Sequence, residues 1–141
     1  MTKHIETKIE KYSWKALLQM KKMKNWNIDK VIGTKIDYNE GTDFIVNGLR
    51  VDVSSMSKDV DKNGLHKLTV LLNDSGEEVV WAYLRTTNKK LKKQKKNFKI
   101  PVLCIIFENN FEDDISDFFF YEYSRIEELF WDKVDELGLD F

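Results

Sequence analysis

Residues Gly41 to Ser54 read GTDFIVNGLRVDVS. Two short apolar runs flank Asn47-Gly48, and each run carries one aspartate. Asn-Gly between β-prone runs is the strongest short-range hairpin signal, because a type I′ turn needs positive φ at both central residues. Such a loop pairs Val46 with Leu49, Ile45 with Arg50 and Phe44 with Val51, and it sets Asp43 opposite Asp52. Side chains alternate along a strand, so Phe44, Val46, Leu49, Val51 and Val53 share one wholly apolar face, which reads as core. Asp43, Ile45, Arg50, Asp52 and Ser54 share the other. Like charges directly opposite on neighbouring strands cost roughly 0.2–1 kcal/mol. A hard divalent cation, which takes carboxylate oxygens as ligands, would reverse that sign. The plainer alternative is a solvated face on which Arg50, diagonal to both charges, softens the repulsion.

The rest of the chain bounds what this hairpin can belong to. At 141 residues the expected organisation is a single domain, 1–141, able to bury a core without staples. Charged residues make up 33% and hydrophobic residues 42%, an ordinary soluble composition. The lone Cys104 lies in the apolar run IPVLCIIF, so no disulfide forms within the chain, which suits a reducing cytoplasm. No signal-peptide core and no run of transmembrane length is present, and a cytoplasmic protein with no membrane partner is expected. The net charge is only −1, yet the charges are sorted. Eight basic residues and no acid lie between Arg85 and Lys99, whereas twelve acids face two basic residues between Glu108 and Asp140. Net charge therefore says little about partners.

Helical spacing of Ile5, Ile9, Tyr12, Ala16, Leu17, Met20 and Met23 predicts an amphipathic helix over residues 3–24, with Glu6 and Glu10 beside the apolar stripe. A short strand is expected over 31–36, and a turn at 38–41 leads into the hairpin. A second hairpin is expected from strands near 67–72 and 78–85 around Asn73-Asp74-Ser75-Gly76. Residues 86–98 could form a helix capped by Thr87 or Asn88, and 100–107 reads as a fully buried strand. An acidic loop is expected over 109–117. A closing helix follows over 126–137, with Leu129, Phe130, Val134 and Leu137 on one side and Gly138 as its cap. The sum is an α+β (mixed α/β) fold, helices against a curved sheet.

With these elements in place, GTDFIVNGLRVDVS resembles the core of the PD-(D/E)XK, or restriction-endonuclease-like, superfamily. That family sets an aspartate on one strand of a hairpin and an acidic-x-lysine triplet on the next. The resemblance implies a restriction-endonuclease-like core with Asp43 and Asp52 as ligands of Mg²⁺ or Mn²⁺ and the Val53 carbonyl in the metal shell. It also implies that an acid of the first helix, Glu10 or Glu6, contributes. The implied activity is that of a metal-dependent nuclease, a hydrolase acting on DNA. One position departs, since Ser54 stands where the family has its lysine. Lysines migrate in this superfamily, and Lys58 or Lys67 would be the substitute that activates the attacking water and steadies the phosphate.

Other residue groups carry weaker signals. His4 and His66 have no acid or thiol at motif spacing, Cys104 has no CxxC partner, and no glycine-rich phosphate loop occurs. The run KKLKKQKK, with Lys89, Lys90, Lys92, Lys93, Lys95 and Lys96, reads either as a sequence-blind phosphate contact or as a solvated surface. The acidic C-terminal third reads as a solubilising surface or as a mimic of DNA phosphates that engages a protein partner. Three functions follow: a DNA nuclease, an inactive nuclease-fold protein that binds nucleic acid or a protein, and an acidic-surface inhibitor of a DNA-binding protein.

Overall fold

The computed structural model describes residues 6–56, 64–87 and 100–139. Helix α1 (Lys8–Lys24) starts later than its apolar periodicity suggests, because a capping box fixes the start. The Thr7 hydroxyl accepts the Glu10 N–H at 3.3 Å, and the Glu10 carboxylate accepts the Thr7 N–H at 2.9 Å. Two otherwise orphaned amides are thereby satisfied. Asn25, in the left-handed region at φ 55°, ends the helix.

The strand expected over 31–36 is not formed. Strand β1 (Ile28–Lys30) lies earlier, and helix α2 (Lys35–Glu40) takes up most of the segment. Gly33 at φ +80° turns the chain, the Thr34 N–H closes onto Val31 O at 3.1 Å, and the Gly33 N–H donates to Asp37 Oδ2 at 2.8 Å. These contacts commit the segment to a helix start, and the expected turn at 38–41 is the end of that helix, closed by Gly41.

Strands β2 (Phe44–Val46) and β3 (Leu49–Ser55) form the expected hairpin, with Phe44 opposite Val51, Ile45 opposite Arg50 and Val46 opposite Leu49. Asn47 and Gly48 adopt φ 51° and 82°, the pair of positive angles a type I′ loop demands. Strands β4 (Leu65–Leu72) and β5 (Glu78–Arg85) form the second hairpin. Asn73 Oδ1 organises its turn by accepting the N–H groups of Ser75 and Glu77, both at 2.9 Å.

Strand β6 (Val102–Phe107) inserts between the two hairpins, parallel to β3 and antiparallel to β5. The sheet order is β1-β2-β3-β6-β5-β4. All six residues of β6 are buried, as its unbroken apolar sequence anticipates for a central strand.

The acidic stretch 109–117 is not a loop but opens helix α3 (Phe111–Asp117). Its Glu112, Asp113 and Asp114 lie in the first turn, where the helix dipole favours negative charge. A π-helical turn (Phe118–Glu122) leads into helix α4 (Tyr123–Glu136). Gly138 at φ 66° terminates it, with N–H bonds from Gly138 to Asp135 O and from Leu139 to Val134 O. Phe130 and Val134 are buried as expected, whereas Leu137 is exposed.

Helices α1, α3 and α4 cover one face of the sheet. Val51, Val53, Ala82, Leu84, Leu103 and Ile105 meet Leu17 and Met20 of α1 and Ile126 and Phe130 of α4 in one core cluster. The other face carries Asp52, Ser54, Tyr83, Arg85, Cys104 and Ile106, in register across three strands. The architecture is α+β, built on a six-stranded mixed sheet. No described helix is long and apolar enough to cross a membrane.

Candidate active site

Asp43 precedes β2, continuing its register with β1 but standing one residue out of register with β3, so it is not squarely paired with Asp52 in the way the hairpin pattern predicts. Its N–H donates to Val51 O at 2.9 Å, and its carbonyl accepts the Val31 N–H at 2.9 Å. Its side chain turns back onto β3, where Oδ2 accepts the Val53 N–H at 2.9 Å. The residue is only 4% exposed. A strand residue projects its N–H and C=O to the same edge, so the Val53 carbonyl lies on the carboxylate side of β3, where the metal-shell reading requires it.

Asp52 lies across the hairpin from Asp43, and the two carboxyl groups interact directly. Burial comes first among the causes that push the Asp43 carboxyl far above the ordinary carboxylate range, and the charge of Asp52 and a hydrogen bond to it add to the effect. The Val53 N–H works in the opposite sense, and the charge of Glu10 raises the value further. Glu10 is itself buried on α1. Glu6 is engaged elsewhere, 2.9 Å from the Lys30 ammonium.

The cation beside this pair is one that local sequence reading missed. Arg85, at the end of β5, places Nη2 3.0 Å from Asp52 Oδ2 and 3.1 Å from Cys104 Sγ. Burial works against the Arg85 charge, but Cys104 and Asp52 outweigh it and raise the guanidinium pKa. Burial also pushes the Cys104 thiol up to about 12 despite Arg85, so Cys104 is a neutral thiol at physiological pH. Arg50, expected to moderate the aspartates, binds Glu40 instead, at 2.8 Å. Lys67 sits three strands from Asp52 along the row Asp52, Cys104, Tyr83, Lys67, roughly 14 Å away by strand spacing. The fold does not bring it to the carboxylates. Ser54 pairs with Ile106 on the same face as Asp52. Lys58 and Lys89, Lys90, Lys92, Lys93, Lys95 and Lys96 lie outside the described residues.

Among the described residues no group of three or more His, Cys, Asp and Glu side chains is arranged to hold a metal ion. The aspartate pair is therefore a two-carboxylate set. Such a set fits Mg²⁺, which is commonly bound through one or two carboxylates with waters and substrate phosphates completing the shell. The excess negative charge that drives Asp43 toward protonation is the same quantity a bound cation would offset.

One signal for Arg85 was present in the sequence. In EVVWAYLR the alternation puts Val80, Ala82 and Leu84 on the core face and Trp81, Tyr83 and Arg85 on the other. What the sequence does not show is that β5 lies two strands from β3, with β6 between them. No family model, curated protein or solved structure matches this chain.

Proposed function

We propose that the protein is a metal-dependent, nuclease-like hydrolase of DNA built on a restriction-endonuclease-like core, with its site at Asp43 and Asp52. The observation that carries this reading is the buried Asp43 carboxyl, fixed by the Val53 N–H and held against Asp52, with the Arg85 guanidinium 3.0 Å from Asp52. Asp43, Asp52 and the Val53 carbonyl would hold Mg²⁺ or Mn²⁺, and a metal so placed supplies Lewis-acid polarisation of a phosphoryl oxygen and a more acidic bound water. Arg85 takes over part of the role of the lysine absent at position 54. Its fixed fork of donors suits phosphate oxygens and can stabilise charge that develops on a phosphate. An arginine stays protonated at neutral pH, so it does not act as a base. Glu10 adds negative charge behind Asp43 and strengthens the demand for a cation. The single, buried Cys104, which permits no disulfide within the chain, favours a reducing, cytoplasmic setting.

A second reading has its own observation. The Arg85–Asp52 ion pair already engages one of the two carboxylates, which favours a protein that keeps the nuclease fold and binds nucleic acid or a protein partner without cleaving. Calorimetric titration with Mg²⁺ and Mn²⁺, together with cleavage assays on single- and double-stranded DNA, separates the two. The hydrolase reading expects weak, Mn²⁺-favoured cleavage that Asp52→Asn abolishes. Arg85→Ala should lower it by about 100-fold, as removal of one charge-stabilising donor does elsewhere, and Ser54→Lys should raise it. Absence of metal binding and of cleavage in the wild type and in Ser54→Lys alike would leave the binding protein.

A further inference from the structure

Helix α1 carries a second feature that the carboxylate site does not use. Lys8, Lys11, Lys15 and Lys22 are all exposed, and at 100° per residue they fall within an arc of about 60°. Ile9, Ala16, Leu17 and Met20 lie on the opposite side and are buried in the core. The only acid in the helix is Glu10, and it too is buried. The outer face of α1 is thus a lysine stripe flanked by Leu18 and Gln19, without the interleaved acids that a merely solvated helix face normally carries.

This arrangement works against the helix itself. Lys8 and Lys11, and Lys11 and Lys15, stand three and four residues apart, where like charges destabilise a helix. Lys8 occupies the first helical position, where the macrodipole disfavours a cation. Lys8 has partial relief, since its ammonium lies 5.7 Å from the Tyr12 ring centroid and it lines a shared cavity with Glu112 and Asp113. The ion pairs found among the described residues include none with Lys11, Lys15 or Lys22.

We propose that the outer face of α1 is a docking surface for the phosphate backbone of nucleic acid. A regularly spaced polyanion supplies what the stripe lacks, and the complementarity is of charge. From Lys8 to Lys22 the stripe runs roughly 21 Å, the length of about six nucleotide steps along one strand. An anionic lipid surface suits it less well, because an interfacial helix needs an apolar face to insert and most of that of α1 is packed on the sheet, leaving only Leu18 and Met23 of its large apolar residues exposed. The choice of nucleic acid as the polyanion rests on the reading of the carboxylate site given above. Glu10, which adds to the field at Asp43, projects from the inner side of the same helix. A strand on the outer side therefore lies about one helix diameter, roughly 10–12 Å, from it.

The test uses the full chain and the variant Lys11→Gln/Lys15→Gln/Lys22→Gln. Binding to a short duplex and to a single strand of the same length is measured by fluorescence anisotropy at about 50–200 mM salt, with no divalent metal. The variant should bind at least tenfold more weakly. Its plot of log K against log salt should be shallower by about 2–3, since each lost phosphate contact removes about 0.9 from the duplex slope. Its melting temperature should hold or rise, because internal repulsion is relieved. An unchanged affinity and slope, or no DNA binding by the wild type, overturns the proposal. So does a loss confined to phosphatidylserine vesicles, or a salt-sensitive self-association in sedimentation that the substitutions abolish. Asp52→Asn tells the two readings apart. Loss of metal binding in that variant with α1-dependent DNA binding kept supports both, whereas DNA binding that ignores the stripe while metal binding needs Asp52 overturns the docking surface alone.

Discussion

Asp43 is held at three points: its N–H donates to Val51 O and its carbonyl accepts the Val31 N–H, and its carboxyl is pinned by the Val53 N–H. Burial, with Asp52 alongside, then keeps that carboxyl protonated far above the ordinary range. The linkage has a definite sign. The metal-free folded protein keeps a proton on Asp43 that the unfolded chain releases above about pH 4, so this group's contribution falls as pH rises from there toward the folded pKa. Asp43→Asn removes the penalty while leaving an oxygen to accept the Val53 N–H. In metal-free buffer the variant should be more stable than wild type at about pH 8, by on the order of 1 kcal/mol or more, since a tenfold change in proton affinity is worth about 1.4 kcal/mol. The gap should narrow toward about pH 5, and urea denaturation at the two pH values reads it. That the two aspartates come near one another was legible in the sequence, because the Asn-Gly turn sets the register of the strands between them. The register shift at Asp43 was not, because its hydrogen bonds to Val51 and Val31 involve neighbouring strands on both sides. Arg85 was not, because its place beside Asp52 depends on a strand almost twenty residues further along the chain.

At the level of single elements, the well-anticipated pieces are those in which short-range chemistry and hydrophobic period agree. The β2–β3 hairpin is the clearest, since Asn-Gly and the alternation of Phe44 to Val53 specify one register, and a slip by one residue would turn the apolar face outward. Gly48 tests this directly. At φ +82° a Cβ meets nothing within 4 Å, so Gly48→Ala suffers only backbone strain, and a loss of about 1 kcal/mol is expected, seen as a lower urea midpoint with unchanged slope. Two elements were misread for a common reason. Residues 31–36 and 109–117 are short and polar or mixed, with little periodicity, and helix-start contacts decide them: Gly33 and Asp37 in the first case, three first-turn acids in the second. The aromatic residues Phe118 to Tyr121 carry no local signal for the π-helical turn they open. Its edge-to-face packing, with Phe118 and Phe119 centroids 5.2 Å apart at 84°, is set by tertiary neighbours.

For the molecule as a whole, the α+β class followed from counting periodic segments, but the strand order did not. Apolar composition marks β6 as central without saying which strands flank it. Its position makes it the costliest strand to damage. Ile105 is fully buried between Val53 and Ala82, and Ile105→Ala should cost about 2–5 kcal/mol, measured by thermal or urea unfolding, well above the Gly48→Ala effect. The same placement orders events in time. Each hairpin closes over a short loop, and such steps are fast, whereas joining β3 to β6 must span some fifty residues and is entropically slow. Asp52 and Arg85 belong to strands that never touch, so their ion pair cannot form until Val102–Phe107 has slotted between them. On a ribosome, both hairpins can exist while the carboxylates still lack their arginine. The nascent chain would gain its charged centre in one late step, when the last strand of the sheet emerges.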